Sequence, residues 1–380
     1  MPTYLEFFAG GGMARAGLGA GWECALANDF DAKKGQTYAQ NWGKDHLIID
    51  DIGNISTDDI PQKADLAWAS FPCQDLSLAG IGAGLKGARS GTFWPFMSLM
   101  QDLQRVGRDP DVIVLENVLG TLTSHGGDDF AAIIAALGKL GYHSGAMVID
   151  AALFVPHSRP RLFIIAAKPG DNAPGIKGKP HPLWHTRAVQ KAYDDLPRRD
   201  RNKWVWWGLK TPPKRTLDLA DIIEETPESV RWHSQKETTT LLSMMSEVNL
   251  AKVETAQMAR LPMVGTIYKR TRKEHGIKVQ RAEIRFDNVA GCLRTPGGGS
   301  SRQVIMTVDG PNIRSRLMSS RETARLMGLP DSYKLPQRYN EAYHLTGDGV
   351  VVPVVRHLAR HLIEPLIRER TPATRAASAK

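Results

Sequence analysis

Thr3-Tyr4-Leu5-Glu6-Phe7-Phe8-Ala9-Gly10-Gly11-Gly12 is the stretch that decides the fold class. Residues 3–8 are aromatic and aliphatic enough to read as a short buried strand. The glycines form a tight turn, after which Met13, Ala16, Leu18 and Ala20 follow a helical pattern. A strand, a glycine turn and a helix start are the opening of a nucleotide-type βαβ unit. There the glycines let backbone N–H groups approach a ligand that the helix N-terminus also attracts. The spacing is not the full dinucleotide fingerprint, and a tight connection explains the turn equally well.

Further strands follow at the pace such a fold requires. Residues 23–27 form a second strand ending in Asn28-Asp29-Phe30-Asp31, where a carboxylate is well placed to hold ribose hydroxyls. Asp29 is the candidate, with a helix N-cap as its alternative reading. Residues 47–51 read as a third strand, and Asp51 could accept from an adenine amino group or cap a turn. A fourth strand at 66–69 delivers Phe71-Pro72-Cys73-Gln74, and a glycine-rich segment at 78–91, carrying Lys86 and Arg89, suits a mobile lid. Residues 93–104 are helical, and 111–115 form a buried strand ending in Glu116-Asn117-Val118. A helix at 130–140 and strands at 144–150 and 162–167 complete the series. Between those last strands lies Pro156-His157-Ser158-Arg159-Pro160-Arg161. Alternation of strands and helices predicts an α/β fold with a mostly parallel sheet whose ligands sit at the strands' C-terminal ends. Asp29, Asp51, Cys73 and Glu116 all fall at such ends.

From Pro169 the pattern changes. Basic residues and tryptophans crowd together through Arg198-Arg199-Asp200-Arg201 and Trp204-Val205-Trp206-Trp207, and again through Tyr268-Lys269-Arg270-Thr271-Arg272-Lys273. A donor-rich loop, Thr295-Pro296-Gly297-Gly298-Gly299-Ser300-Ser301-Arg302, suits phosphate contact. With a net charge of +9, this favours a polyanionic partner. A solvated basic face over a small tryptophan-rich core is the alternative. Regular structure resumes with a helix capped by Ser319 or Ser320 and stopped by Gly328, and a last helix over 350–367.

Three widely spaced cysteines, Cys24, Cys73 and Cys292, lack metal-ligand spacing and point to a reducing compartment, the cytoplasm, rather than to disulfides. No apolar run approaches the ~20 residues a membrane span needs, and no signal peptide is evident.

In these ordered motifs the chain resembles the DNA cytosine-5 methyltransferases over almost its whole length. They are Phe8-Ala9-Gly10-Gly11-Gly12, Phe71-Pro72-Cys73-Gln74, Glu116-Asn117-Val118, Arg159-Pro160-Arg161, Arg321-Glu322-Thr323-Ala324-Arg325-Leu326-Met327-Gly328 and Gly347-Asp348-Gly349-Val350. The resemblance implies an α/β, doubly wound, Rossmann-like S-adenosylmethionine domain (1–185), a smaller, irregular target-recognition domain (186–310), a return to the catalytic domain (311–368) and a disordered tail (369–380). It implies methyl transfer from S-adenosylmethionine to carbon 5 of a flipped cytosine in a specific double-stranded DNA sequence. The enzyme would act as a monomer, either as the modification half of a restriction system with a cognate restriction endonuclease or as a solitary enzyme.

Carried over by position, Cys73 matches the nucleophile, Glu116 the acid with Asn117 beside it, and Arg161 the arginine holding the base's O2 with Arg159 as companion. Phe8, Ala9, Gly10, Gly11, Gly12, Asp29, Phe30, Asp51, Ile52, Pro72, Phe93, Asp348 and Val350 match cofactor positions. Segment 75–94 matches the loop that closes over the base. Gln74, Ser77, Arg89, Arg270, Arg272, Lys273, Gly298, Gly299, Ser300 and Arg302 are the expected DNA contacts, and no metal is implied. The chain departs from the family's usual pattern at Glu6 (commonly Asp), Phe30 (often Trp), His157 (usually Gln) and Asp348-Gly349 (usually Asn-Ser). The rival readings are the same chemistry on RNA and a catalytically silent DNA-binding module.

The chemistry explains these residue types. A thiolate adding to carbon 6 makes carbon 5 nucleophilic enough to take a methyl group, and nearby cations assist its ionisation. A carboxyl group at N3 stabilises the charge that arises there. The base must leave the helix first, at a cost of roughly a few kcal/mol.

Overall fold

The structure is a computed structural model and describes residues 1–71, 91–169, 176–274, 276–294 and 301–368. Thr3–Phe7 (β1) lies near the middle of a seven-stranded sheet. Its other strands are β2 (Glu23–Asp29), β3 (Leu47–Ile49), β4 (Leu66–Ala69), β5 (Val112–Asn117), β6 (His143–Asp150) and β7 (Pro160–Ala167). Their order is β3-β2-β1-β4-β5-β7-β6. β1 runs parallel to β2 and β4, and β4 runs parallel to β5, whereas β7 is antiparallel to β5. Strand order reverses between β1 and β4, so the crevice beyond their C-terminal ends is the natural ligand position.

Every residue of β4 and β5 is buried, because helices cover the sheet on its faces. The helix Phe93–Arg105 contributes Phe93, Phe96, Met100 and Leu103 to one core with Leu5, Phe7, Ile113 and Leu115. The helix Asp128–Lys139 adds Phe130, Ile133, Ile134 and Leu137 at helical spacing. Each such side chain contributes about 1.5–3 kcal/mol by leaving water.

The chain divides into two compact units. One comprises Met1–Ile149, Pro160–Pro212 and the residues from Val354 on, and the other Asp150–Arg159 and Pro213–Pro353. The crossings thus fall at 149/150, 159/160, 212/213 and 353/354, whereas the sequence reading put its boundaries at 185/186 and 310/311. Residues 187–207 stay with the sheet because their apolar side chains belong to its core. Val189, Ala192 and Leu196 join the main cluster, and Trp204 and Trp206 pack against it. The indole of Trp207 donates to the Ile165 carbonyl at 2.9 Å, and Trp206–Trp207 (β9) pairs with Ile176–Lys177 (β8). The tryptophan run therefore packs on the core, and Arg198, Arg199 and Arg201 before it are exposed.

The second unit is more regular than its sequence suggests. It holds a four-stranded antiparallel sheet of order β11-β10-β12-β13, built from β10 (Met263–Glu274), β11 (Ile277–Arg285), β12 (Val304–Asp309) and β13 (Asn312–Leu317). Helices Gln235–Ser243 and Glu247–Gln257 close its core, in which Leu241, Met245 and Val253 meet Ile267, Ile284, Val304 and Met306. The motif helix Ser320–Leu326 is capped by Ser319 in a reciprocal capping box with Glu322. Among the described residues no helix is long and apolar enough to cross a membrane.

Candidate active site

The glycine turn is tightly wound. Phe8, Gly10 and Gly12 all have positive φ (58°, 55° and 75°), which is strained for the phenylalanine and natural for the glycines. Two contacts from the β2 end fix the turn. Ala9 N–H donates to the Asn28 carbonyl at 2.9 Å, and Gly10 N–H donates to Asp29 Oδ2 at 2.7 Å. Asp29 Oδ1 accepts from Asp31 N–H at 2.8 Å, so this carboxylate organises two backbone segments at once. Burial pushes the Asp29 carboxyl above its ordinary range, against the lowering effect of those two N–H donors.

Beside it, the Phe30 side chain is 77% exposed, an aromatic face left uncovered at the end of a central strand. A Cβ placed on Gly10 would meet nothing within 4 Å, so there is open space beside the turn. Asp51 accepts from Gly53 N–H at 2.8 Å, which makes it the cap of the turn Ile52–Asn54, with Ile52 buried. Open turn, exposed aromatic and strand-end carboxylate fit a nucleoside with an attached charged chain. This is the fit that S-adenosylmethionine requires.

A second group gathers at the C-terminal end of β5. Glu116 and Asn117 are the last residues of that strand. Because β7 is antiparallel, its first residues lie at that same end, with Leu162 paired to Asn117 and Phe163 to Glu116. A parallel strand would have carried Arg161 to the far edge. Instead Arg161 Nε lies 3.2 Å from Glu116 Oε1, and both side chains are largely buried. Asn117 is buried too. Its Nδ2 donates to the Phe71 carbonyl at 3.1 Å, while its Oδ1 accepts from Val118 N–H at 2.8 Å. Phe71 stacks at a tilt on Phe93, with ring centroids 5.4 Å apart, and Phe93 is itself fully buried. Asn117 thus ties the β5 end to the backbone two residues before Cys73, a contact the sequence did not reveal. Pro72, Cys73, Gln74, Ser77 and Arg89, most of the 75–94 segment, Gly298, Gly299, Ser300 and the 369–380 tail lie outside the described residues.

Arg159, expected as the companion of Arg161, has several backbone partners within the second unit. Its guanidinium is buried and donates to the carbonyls of Leu293 (3.2 Å), Gly347 (2.8 Å) and Gly349 (2.8 Å), and to Cys292 Sγ at 3.4 Å. It is a tether for the backbone around Asp348, which is exposed at the end of the helix Tyr339–Asp348, and Val350 close by is buried. His157, also buried, accepts from Leu293 N–H at 3.1 Å, a packing role.

Of the described DNA-contact candidates, Arg270 and Arg272 both pair with Glu283 across the β10–β11 ladder. Lys273 is exposed beside Lys278 in that ladder. Arg302 donates to Asn340 Oδ1 at 2.5 Å and sits over the Tyr339 ring. The extended hairpin therefore presents cations whose charge is partly offset by one glutamate.

Comparison with known proteins gives the family. The family model for C-5 cytosine-specific DNA methylase matches residues 3–364. The type II methyltransferase M.Bsp6I of Bacillus sp. (strain RFL6) is 26% identical over 351 residues, covering 91% of this chain and 93% of that protein. M.HhaI of Haemophilus parahaemolyticus is 25% identical over 363 residues, covering 94% and 93%. In fold the chain is similar to the solved Dnmt2 methyltransferase of S. pombe, with a TM-score of 0.57 at 18% identity and coverage of 96% and 99%. The Spodoptera frugiperda DNMT2 structure gives a TM-score of 0.62 at 17% identity, again covering 96% and 99%. The chain belongs to the C-5 cytosine-specific DNA methylases and is a DNA cytosine-5 methyltransferase.

Proposed function

We propose that this enzyme methylates carbon 5 of a cytosine flipped out of a specific double-stranded DNA sequence, through a covalent bond between Cys73 and carbon 6. The observation that carries this reading is the Glu116–Arg161 pair at the β5 end, with Asn117 holding the strand that leads to Cys73.

S-adenosylmethionine, when bound, supplies an electrophilic methyl group. The Phe8–Gly12 turn, Asp29, Phe30, Asp51 and Ile52 would hold it, with Phe93 packing against the Phe71 ring. Cys73 would add to carbon 6, breaking the ring's aromaticity and moving electron density toward carbon 5. Glu116, at N3, would stabilise the charge that this addition creates, and Arg161 would orient Glu116 and bind the base's O2. Carbon 5 would then bond the methyl group, with S-adenosylhomocysteine as the leaving group; loss of the carbon-5 proton to a base re-forms the double bond and expels the thiolate.

Extrusion of the base costs roughly a few kcal/mol, which phosphate contacts offset. Lys273, Arg270 and Arg272 on the hairpin would supply such contacts and make binding salt-dependent without reading sequence. The type II names of the relatives support a role opposite a cognate restriction endonuclease. The reading further takes the methyltransferase to act as a monomer in the cytoplasm.

The test is incubation with methyl-labelled S-adenosylmethionine and, separately, duplex DNA and tRNA. Label in DNA at 5-methylcytosine is the expected result. Label in tRNA alone would refute the DNA reading.

A further inference from the structure

We propose that Trp42 is a positioning residue that sets the backbone of the glycine turn for cofactor binding. This rests on the reading of that turn as the S-adenosylmethionine site. Trp42 is the last residue of the helix Ala32–Trp42, and its indole Nε1 donates to the Gly11 carbonyl at 3.0 Å. Its ring and that of Tyr38 also fill the space beside Gly12. A Cβ on Gly12 would lie 2.7 Å from Trp42 Cδ1 and 2.9 Å from Tyr38 Cε2.

The indole is itself held. The Arg15 guanidinium stacks 5.4 Å from the Trp42 ring centroid and 5.8 Å from that of Tyr38, and donates to the Tyr38 hydroxyl at 3.0 Å. Tyr38 in turn contacts His46 Nε2 at 3.2 Å and Cys24 Sγ at 3.6 Å. Three consecutive glycines leave the peptide planes of the turn free to rotate, since glycine populates φ of either sign. Asp29 holds the N–H side of the 9–10 peptide unit and Trp42 the carbonyl side of the 11–12 unit, and Gly12 N–H, donating to the Ala9 carbonyl at 2.8 Å, ties these two units to each other. A turn set in advance binds its ligand without first losing that freedom. The aromatic at the helix end therefore acts on cofactor affinity through Gly11, without needing to touch the cofactor.

Trp42→Phe keeps an aromatic ring and removes the N–H. It should raise KM for S-adenosylmethionine about 5- to 30-fold, the scale of one lost hydrogen bond, while leaving kcat within about twofold. Affinity for cognate DNA without cofactor should be unchanged. Arg15→Gln, which loosens the stack but keeps the indole donor, should give a smaller rise of about 2- to 5-fold. It serves as the second arm if Trp42→Phe does not fold. A merely space-filling Trp42 would lower thermal stability and leave KM at the wild-type value. Wild-type KM in whichever of the two variants folds overturns the proposal. Wild-type protein that binds DNA but no S-adenosylmethionine would instead overturn the cofactor reading beneath it.

Discussion

Asn117 Nδ2 donates to the main-chain carbonyl of Phe71 at 3.1 Å, joining the ends of two neighbouring parallel strands at the point where the chain proceeds to Cys73. Both groups are buried, so loss of the amide leaves a carbonyl without its partner in an apolar setting. Asn117→Ala should cost about 1–3 kcal/mol in denaturant unfolding. It should also lower kcat more than it raises KM for cofactor, because the contact orients the nucleophile's strand. A variant that is destabilised but keeps wild-type kcat would show that the bond holds the fold only.

Glu116 is the acid in this account. Glu116→Gln keeps its shape and should slow methyl transfer about 10²–10⁴-fold in single-turnover assays, the usual scale for general acid–base groups. DNA and cofactor binding should change little. Activity near wild type would remove Glu116 from the mechanism.

Glu6 offers a test through pH. Its carboxyl is fully buried in β1, and burial raises its pKa to about 8, although the Arg15 backbone N–H opposes this. Between the ordinary carboxylate range and pH 8 the folded protein keeps this proton while the unfolded chain releases it. Stability from this group is thus complete in acid and falls as pH rises toward 8. Glu6→Gln cannot ionise. Its unfolding free energy should exceed that of wild type by a margin that grows with pH, reaching about 3–5 kcal/mol near pH 8. A margin that does not vary with pH would contradict the assignment.

Much of this was legible in the sequence, and the rest was hidden for definite reasons. The strand–glycine turn at Thr3–Gly12, the β5 end at Glu116 and the Ser319 cap are local signals, written in residues next to one another. The β10–β11 hairpin was not legible because only its first half is buried. Met263 to Ile267 touch the core, whereas Lys269 to Lys273 run out as charged, exposed strand without the alternation that marks a buried face. The Trp204–Trp207 run resembled a nucleic-acid surface because composition does not show where a ring packs. The backbone contacts of Arg159 were not legible because the carbonyls that it binds lie 134 to 190 positions away.

The motif residue Glu322 gives a further measurable consequence. It forms a fully buried pair with Arg316, with contacts of 2.7 and 2.5 Å, and also accepts from Ser319 N–H and Glu224 N–H. Removing one partner strands the other charge, so Glu322→Ala should destabilise the second unit by about 3–5 kcal/mol. The double change Arg316→Met with Glu322→Leu should recover a large part of that loss. Equal instability in the single and double variants, measured by thermal unfolding, would show that the pair's hydrogen bonds to the backbone matter more than its charges.

The central claim is the bond between Cys73 and carbon 6, and duplex DNA carrying 5-fluorocytosine at the recognised position tests it most directly. Fluorine replaces the proton that must leave, so the enzyme should stall after methyl transfer with the Cys73 sulfur still attached to the base. The account predicts a denaturation-resistant complex that requires S-adenosylmethionine, maps by peptide mass to Cys73 and is absent from Cys73→Ala. A Cys73→Ala protein that still transfers methyl groups to unmodified DNA, or an adduct on any other residue, would contradict it.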